Sequence, residues 1–235
     1  MDIGKCTQHL DEGAISQSIL REEAWKLSVD LFKDKDKRNR FADEVADLYI
    51  RTRDADFILI YNTGGFGAGT MKDDPEWPGI LEGIKEELAQ LDYRAVIIEH
   101  NREEGGFLKG FIGELKDLRH NYYQKARELA AKISFITTFN PKLTVISTGR
   151  CFGGIVCNEV MKINREDSHL YSIQASIPFW YTEPVGQRSM VISDNGIMPD
   201  IVTKGGVIRF LWTLFRANWR RLPSVDPSKE GSFRA

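Results

Sequence analysis

The sequence predicts an α/β domain with a mainly parallel sheet and helices on both faces. Two observations carry this. From residue 57 onward, short runs rich in β-branched and aromatic residues alternate with longer stretches whose apolar residues recur at helical spacing. Within that alternation, LTVISTGRCFGGIVCNEV reads as a buried strand, a sharp glycine-rich turn and then a helix with Ile155, Val156 and Val160 facing inward.

Strands are expected at 57–61, 94–98, 143–147, 171–176 and 189–193. Between them, Leu81, Ile84, Leu88 and Leu91 form one helical stripe, and Leu115, Leu118, Tyr122, Ala126, Leu129, Ile133 and Ile136 form a longer one. Before residue 57, Leu20, Ala24, Leu27 and Leu31, then Phe41, Val45, Leu48 and Tyr49, mark two further helices. The run KDKDKRNR between them alternates in sign and reads as a solvated connection. Residues 1–56 are thus expected to form a helical N-terminal extension packed on a domain at 57–222. The Pro- and Ser-rich end, 223–235, has little to bury and is expected to be a mobile tail.

A chain of 235 residues supports one well-buried core. A formal charge of -2 with 28% charged residues lacks the basic surface needed to neutralise phosphates, so nucleic acid is not an expected partner. Cys6, Cys151 and Cys157 leave one thiol over in any disulfide scheme, and MDIGKCTQHLDEG lacks the basic and apolar regions of a signal peptide. A reducing, cytoplasmic setting is the expectation. Charges break the apolar stretches well short of the roughly 18 residues of a membrane span. The expected partner is a small-molecule substrate or ligand, with no cofactor and no metal ion.

Gly149, Cys151 and Gly153 stand in G-x-S-x-G spacing with sulfur in place of the hydroxyl. Small flanking residues let a strained turn pack closely and project the central side chain above the sheet. A helix N-terminus at that point favours a thiolate. The other reading of the same residues is a tight strand-to-helix turn around an inert thiol.

Over residues 57–199 the order of elements resembles the α/β-hydrolase family. ILIYNTGGFG resembles that family's third strand and oxyanion loop, YRAVIIEHNR the next strand, and LTVISTGRCFGG the strand leading into the nucleophile elbow. LYSIQASIPFW and SMVISDNGIMP are similar to the strand after the elbow helix and the strand that delivers the acid. A cysteine in a G-x-C-x-G-G setting is similar to the dienelactone hydrolases. The resemblance implies Cys151 as nucleophile and the backbone amides of Phe66 and Phe152 as the oxyanion hole, although the histidine of the family's H-G-F-G pattern is absent here.

The chain departs from the family pattern at its acid and base. None of His9, His100, His120 and His169 follows the acid strand, and Asn195 stands where the carboxylate belongs. Asp194 serves if the register slips by one, with Asp200 a weaker candidate. His100 follows a strand and is expected at the elbow's edge of the sheet, as an accessory base or as a surface residue of EHNREE. His169 falls in a loop at the opposite edge and His120 on the polar face of the long helix.

The segment GVIRFLWTLFRANWRRLP, centred on 207–219, sets Ile208, Leu211, Trp212, Phe215 and Trp219 along one helical face, with Arg209, Arg216 and Arg220 along another. It reads as a cover for the sheet, or as a membrane or protein contact. Three functions follow: hydrolysis of an ester, thioester or lactone through Cys151 with Asp194 and His100 as accessories; an inactive binding protein using the same crevice; or a peripheral membrane protein.

Overall fold

A computed structural model describes residues 16–64, 70–100, 120, 122–178, 180–181 and 187–192. Five strands form one sheet: β1 (Phe57–Asn62), β2 (Ala95–His100), β3 (Thr144–Arg150), β4 (Leu170–Ala175) and β5 (Ser189–Ile192). Their spatial order is β2-β1-β3-β4-β5, and every neighbouring pair is parallel. The helices are α1 (Gln17–Ser28), α2 (Lys35–Thr52), α3 (Trp77–Gln90), α4 (Tyr123–Phe139) and α5 (Phe152–Ile163), with a 3-10 turn at Met71–Asp73.

Alternation along β1 explains the layers. Ile58 and Ile60 point into the larger core with Phe41, Val45, Ile133, Ile136, Val156 and Val160, contributed by α2, α4 and α5. Leu59 and Tyr61 point the other way, against Trp77 and Leu81 of α3. The sheet is therefore covered on both faces, as its nearly continuous apolar strands require. α1 buries Leu20 and Ala24 in the same core as α2. No described helix is long and apolar enough to cross a membrane.

The helix boundaries correct two sequence readings. α2 begins at Lys35, so most of the charged run is helix rather than connection. Asp34 caps it by accepting from the Lys37 amide at 2.9 Å, and the lysines and arginines that follow are good helix formers. The described part of the long stripe starts its helix only at Tyr123, because Tyr122 takes a left-handed conformation at φ 57°. His120 consequently stands in the turn before α4 rather than on a helical face. Residues 101–119 of that stripe lie outside the described residues, as do the tail and the segment at 207–219.

α4 meets α2 through a buried charge. Lys132 Nζ lies 2.8 Å from Glu44 Oε2 and 3.1 Å from Glu128 Oε1, over the Phe41 ring. Burial works to lower the lysine pKa, but the attraction and hydrogen bonds of Glu128 and Glu44 outweigh it and hold it above the ordinary value. A raised folded-state pKa adds stability that is fully present below the unfolded value, about 10.4, and is lost as pH rises through the higher folded value. Lys132→Met is thus expected to lower stability by about 1 kcal/mol at neutral pH. The gap to the parent protein, read from urea midpoints, should narrow only in strong alkali.

Candidate active site

In this strand order the chain leaves β1 for β2 on one side and returns to β3 on the other. The direction of winding thus reverses between β1 and β3, and the crevice at the C-terminal ends of those strands is where open α/β sheets hold ligands. β1 ends there at Asn62, paired in register with Gly149 of β3. Cys151 follows two residues later.

Cys151 is the cap residue between β3 and α5, with φ 55° and ψ -117°. A side chain held in such a sparsely populated region costs about 1–3 kcal/mol and persists only where the surroundings over-determine it. Here they do. The Cys151 amide donates to the Ala175 carbonyl at 2.9 Å, and the Cys151 carbonyl accepts from Gly154 and Ile155 at 3.1 and 3.3 Å.

The flanking glycines permit the close packing that forces the turn. A Cβ on Gly149 would lie 2.5 Å from the Gly153 carbonyl carbon, and one on Gly153 would lie 2.3 Å from the Asn62 carbonyl oxygen. No side chain fits either gap, so α5 starts directly against β3 and β1. Phe152, its first residue, is buried with its ring 5.6 Å from Tyr122 and 6.1 Å from Trp180. These contacts fix the N-terminus of α5 against the sheet. Cys151 is partly exposed and Cys157 buried, and neither is in a disulfide.

Beneath the elbow runs a buried polar row. Asn62 Nδ2 donates to Ser147 Oγ at 3.0 Å, to the Thr148 carbonyl at 3.1 Å and to Cys157 Sγ at 3.3 Å. Its Oδ1 lies 2.9 Å from His100 Nδ1. Because a carbonyl only accepts, the Thr148 contact orients the Asn62 amide. Oδ1 then faces His100, and Nδ1 carries the proton, so neutral His100 keeps its lone pair on Nε2.

His100 is 9% exposed, which sets aside the reading of a surface histidine. Its charged neighbours in sequence are misleading because the β2 register puts it beside Asn62, at the elbow's edge as expected. Strand spacing places its Cα about 10 Å from that of Gly149, two strands away. His169 precedes β4 and so stands at the opposite edge. His120 reaches the elbow's edge because α4 runs back along the sheet. The helix ends beside the start of β3, and its 17 residues span about 25 Å. Phe66, Asp194 and Asn195 lie outside the described residues.

On the α3 face, Arg150 Nη1 lies 3.5 Å from Asp74 Oδ2, which accepts from the Tyr61 hydroxyl at 3.2 Å. Asp74 Oδ1 accepts from the amides of Glu76 and Trp77 at the start of α3. Gly64 packs close to the Arg150 carbonyl. Burial and the Asp74 carboxylate push the Tyr61 phenol well above its ordinary pKa, so it stays a neutral donor.

Sequence reasoning passed over Asn62, Tyr61, Asp74 and Arg150. A signal for Asn62 was present, since a polar residue ending the apolar strand FILIYN falls at the ligand edge of a parallel sheet. Nothing local marks Asp74. Among the described residues, no three His, Cys, Asp or Glu side chains are grouped to hold a metal ion.

The parallel sheet, its order and the strained residue at the junction of β3 and α5 define an α/β-hydrolase-like fold. Among solved structures, the chain is similar to a Trichoderma reesei cutinase in complex with a C11Y4 phosphonate inhibitor. The identity is 13% and the TM-score 0.42, over 81% of this chain and 88% of that one. No family model and no curated protein matches the chain.

Proposed function

We propose that the protein is a hydrolase of esters, thioesters or lactones that uses Cys151 as its nucleophile. The observation that carries this reading is the backbone of Cys151, held at φ 55° between two glycines that admit no Cβ, at the start of a helix and at the winding reversal of the sheet.

In the proposed reaction, the Cys151 thiolate attacks the carbonyl carbon. A C–S bond forms and the carbonyl electron pair moves onto oxygen. The amides of Phe152 and Phe66 receive that oxyanion, each contributing about 3 kcal/mol to the transition state. Collapse expels the alkoxide or thiolate leaving group, which takes up a proton. Water then adds to the acyl-thioester, releasing the acid and restoring the thiol. Asp194 and His100 are assigned to the proton transfers, with His100 Nε2 as the accepting atom.

A binding protein without turnover is the second reading, and one observation favours it. His100 Nδ1 is engaged by Asn62, and two strand spacings separate its backbone from that of Gly149. Acyl capture separates the two readings. After brief exposure to 4-nitrophenyl acetate and an acid quench, the hydrolase reading expects nitrophenol release and an acetyl group on the peptide holding Cys151. Release without an adduct on that peptide, or no release at any pH from 6 to 9, overturns it.

A further inference from the structure

We infer that the hollow between the first turns of α2 and α4 is a binding site for a small apolar carboxylate, an aryl or short acyl acid. Cys151 does not line it, and the inference is independent of that residue's role as a nucleophile.

The cavity measures about 240 Å³ and is lined on one side by the turn from α1 to α2. Leu31 and Phe32 of that turn, both half-buried, join buried Phe41 in an apolar wall, with the Phe32 and Phe41 rings 5.7 Å apart. Pockets for drug-sized molecules start at about 300 Å³, so this one suits a single ring or a chain of a few carbons. Water released from beside Leu31 and Phe32 favours such a group, and an inorganic ion gains nothing from it.

The charge pattern selects an anion. Lys37 and Arg40 line the cavity from α2, and Lys125 lines it from α4. The two carboxylates present, Glu44 and Glu128, are both drawn to Lys132, at 2.8 and 3.1 Å. Among the described residues, no carboxylate is within ion-pair distance of Lys37 or Lys125. Both lysines stand in the first turn of a helix, where their charge opposes the positive end of the dipole. α4 has no acidic residue in that turn to offset it. An anion in the hollow meets both lysines and both helix ends at once. Glu44 and Glu128 limit how much negative charge is accepted, which favours a carboxylate over a phosphate dianion.

Titration of the full chain with 3-phenylpropionate, its amide and 3-phenylpropylamine tests the site. At low ionic strength the carboxylate should bind about fivefold more tightly than the amide, the size of contacts with part-exposed charges, and the amine should bind less tightly than either. Propionate, which lacks the ring, should bind more weakly than 3-phenylpropionate. Lys37→Gln combined with Lys125→Gln should bring the carboxylate down to the level of the amide and leave the amide unchanged.

The bound carboxylate should also slow acetylation of Lys37 and Lys125 in the parent protein, leaving exposed Lys72 and Lys142 unaffected. That footprint decides if the double variant does not fold. Equal affinity for carboxylate and amide, a preference that survives the double variant, unselective protection, or binding weaker than about 10 mM each overturn the inference. Affinity should be the same after Cys151 is alkylated with iodoacetamide. Loss of binding on alkylation would put the ligand in the crevice instead and reject this site, whereas a protein with no esterase turnover still gives every one of these measurements.

Discussion

Replacing Cys151 by alanine is expected to reduce ester turnover by about four powers of ten or more, since a reaction routed through a covalent intermediate has no substitute for its nucleophile. Cys151→Ser is expected to lose nearly as much. A serine hydroxyl needs a base to remove its proton, whereas a thiol at a helix N-terminus ionises with less help. That asymmetry distinguishes a thiol site of this construction from one that runs on a complete triad, in which serine would keep appreciable activity. The parent protein should also show iodoacetamide labelling of Cys151 faster than that of Cys6 or Cys157, levelling off below about pH 8, with turnover following the same curve. Slow labelling that climbs like an ordinary thiol, together with full turnover in the alanine variant, rejects the nucleophile and leaves the binding reading. His100→Ala reports the accessory role on its own, through the shape of the pH profile.

Gly153→Ala is expected to be the most disruptive alanine substitution among the described glycines. Its Cβ would meet the Asn62 carbonyl oxygen at 2.3 Å, the Asn62 carbonyl carbon at 3.1 Å and the Thr63 carbonyl oxygen at 3.0 Å. These are backbone atoms of the strand at the centre of the site, and they cannot rotate away as a side chain does. α5 must therefore lift from β1, at a cost of about 3 kcal/mol and a melting temperature lower by about 10 °C. The lift also displaces Cys151 and loosens Phe152 from Tyr122 and Trp180, so labelling of Cys151 should lose its selectivity. Gly83→Ala supplies the contrast. It lies within α3 with nothing within 4 Å of the place its methyl group would take, so alanine there should raise stability by up to about 1 kcal/mol through helix propensity. Equal, small losses at the two positions would show that the elbow glycines do not act by close approach.

The five strands were legible in the sequence to within a residue or two at most ends, because runs such as FILIY and LTVIS combine β-branched residues with flanking turn residues, and because helical stripes separate them. The elbow was legible for a related reason: G-x-C-x-G at the close of an apolar strand is a local pattern with a local cause, the strained turn itself. Helix starts were less legible where charge obscured them, as at Lys35, because a run of lysines and aspartates reads equally as a solvated loop until its cap is seen.

The order and type of the elements, and the residue at the turn, are written in the chain itself. They follow from local propensity, apolar period and glycine placement, which act over a few residues. Which polar groups meet at the turn depends instead on the assembled sheet. His100 and Asn62 are 38 residues apart and Asn62 and Ser147 are 85 apart, yet they join because β1 lies between β2 and β3. Tyr61, Asp74 and Arg150 come together for the same reason, on the other face of the same two strands. Strand order and register set these meetings, and no spacing along the chain encodes them, because a parallel sheet pairs residues that a whole crossover has separated.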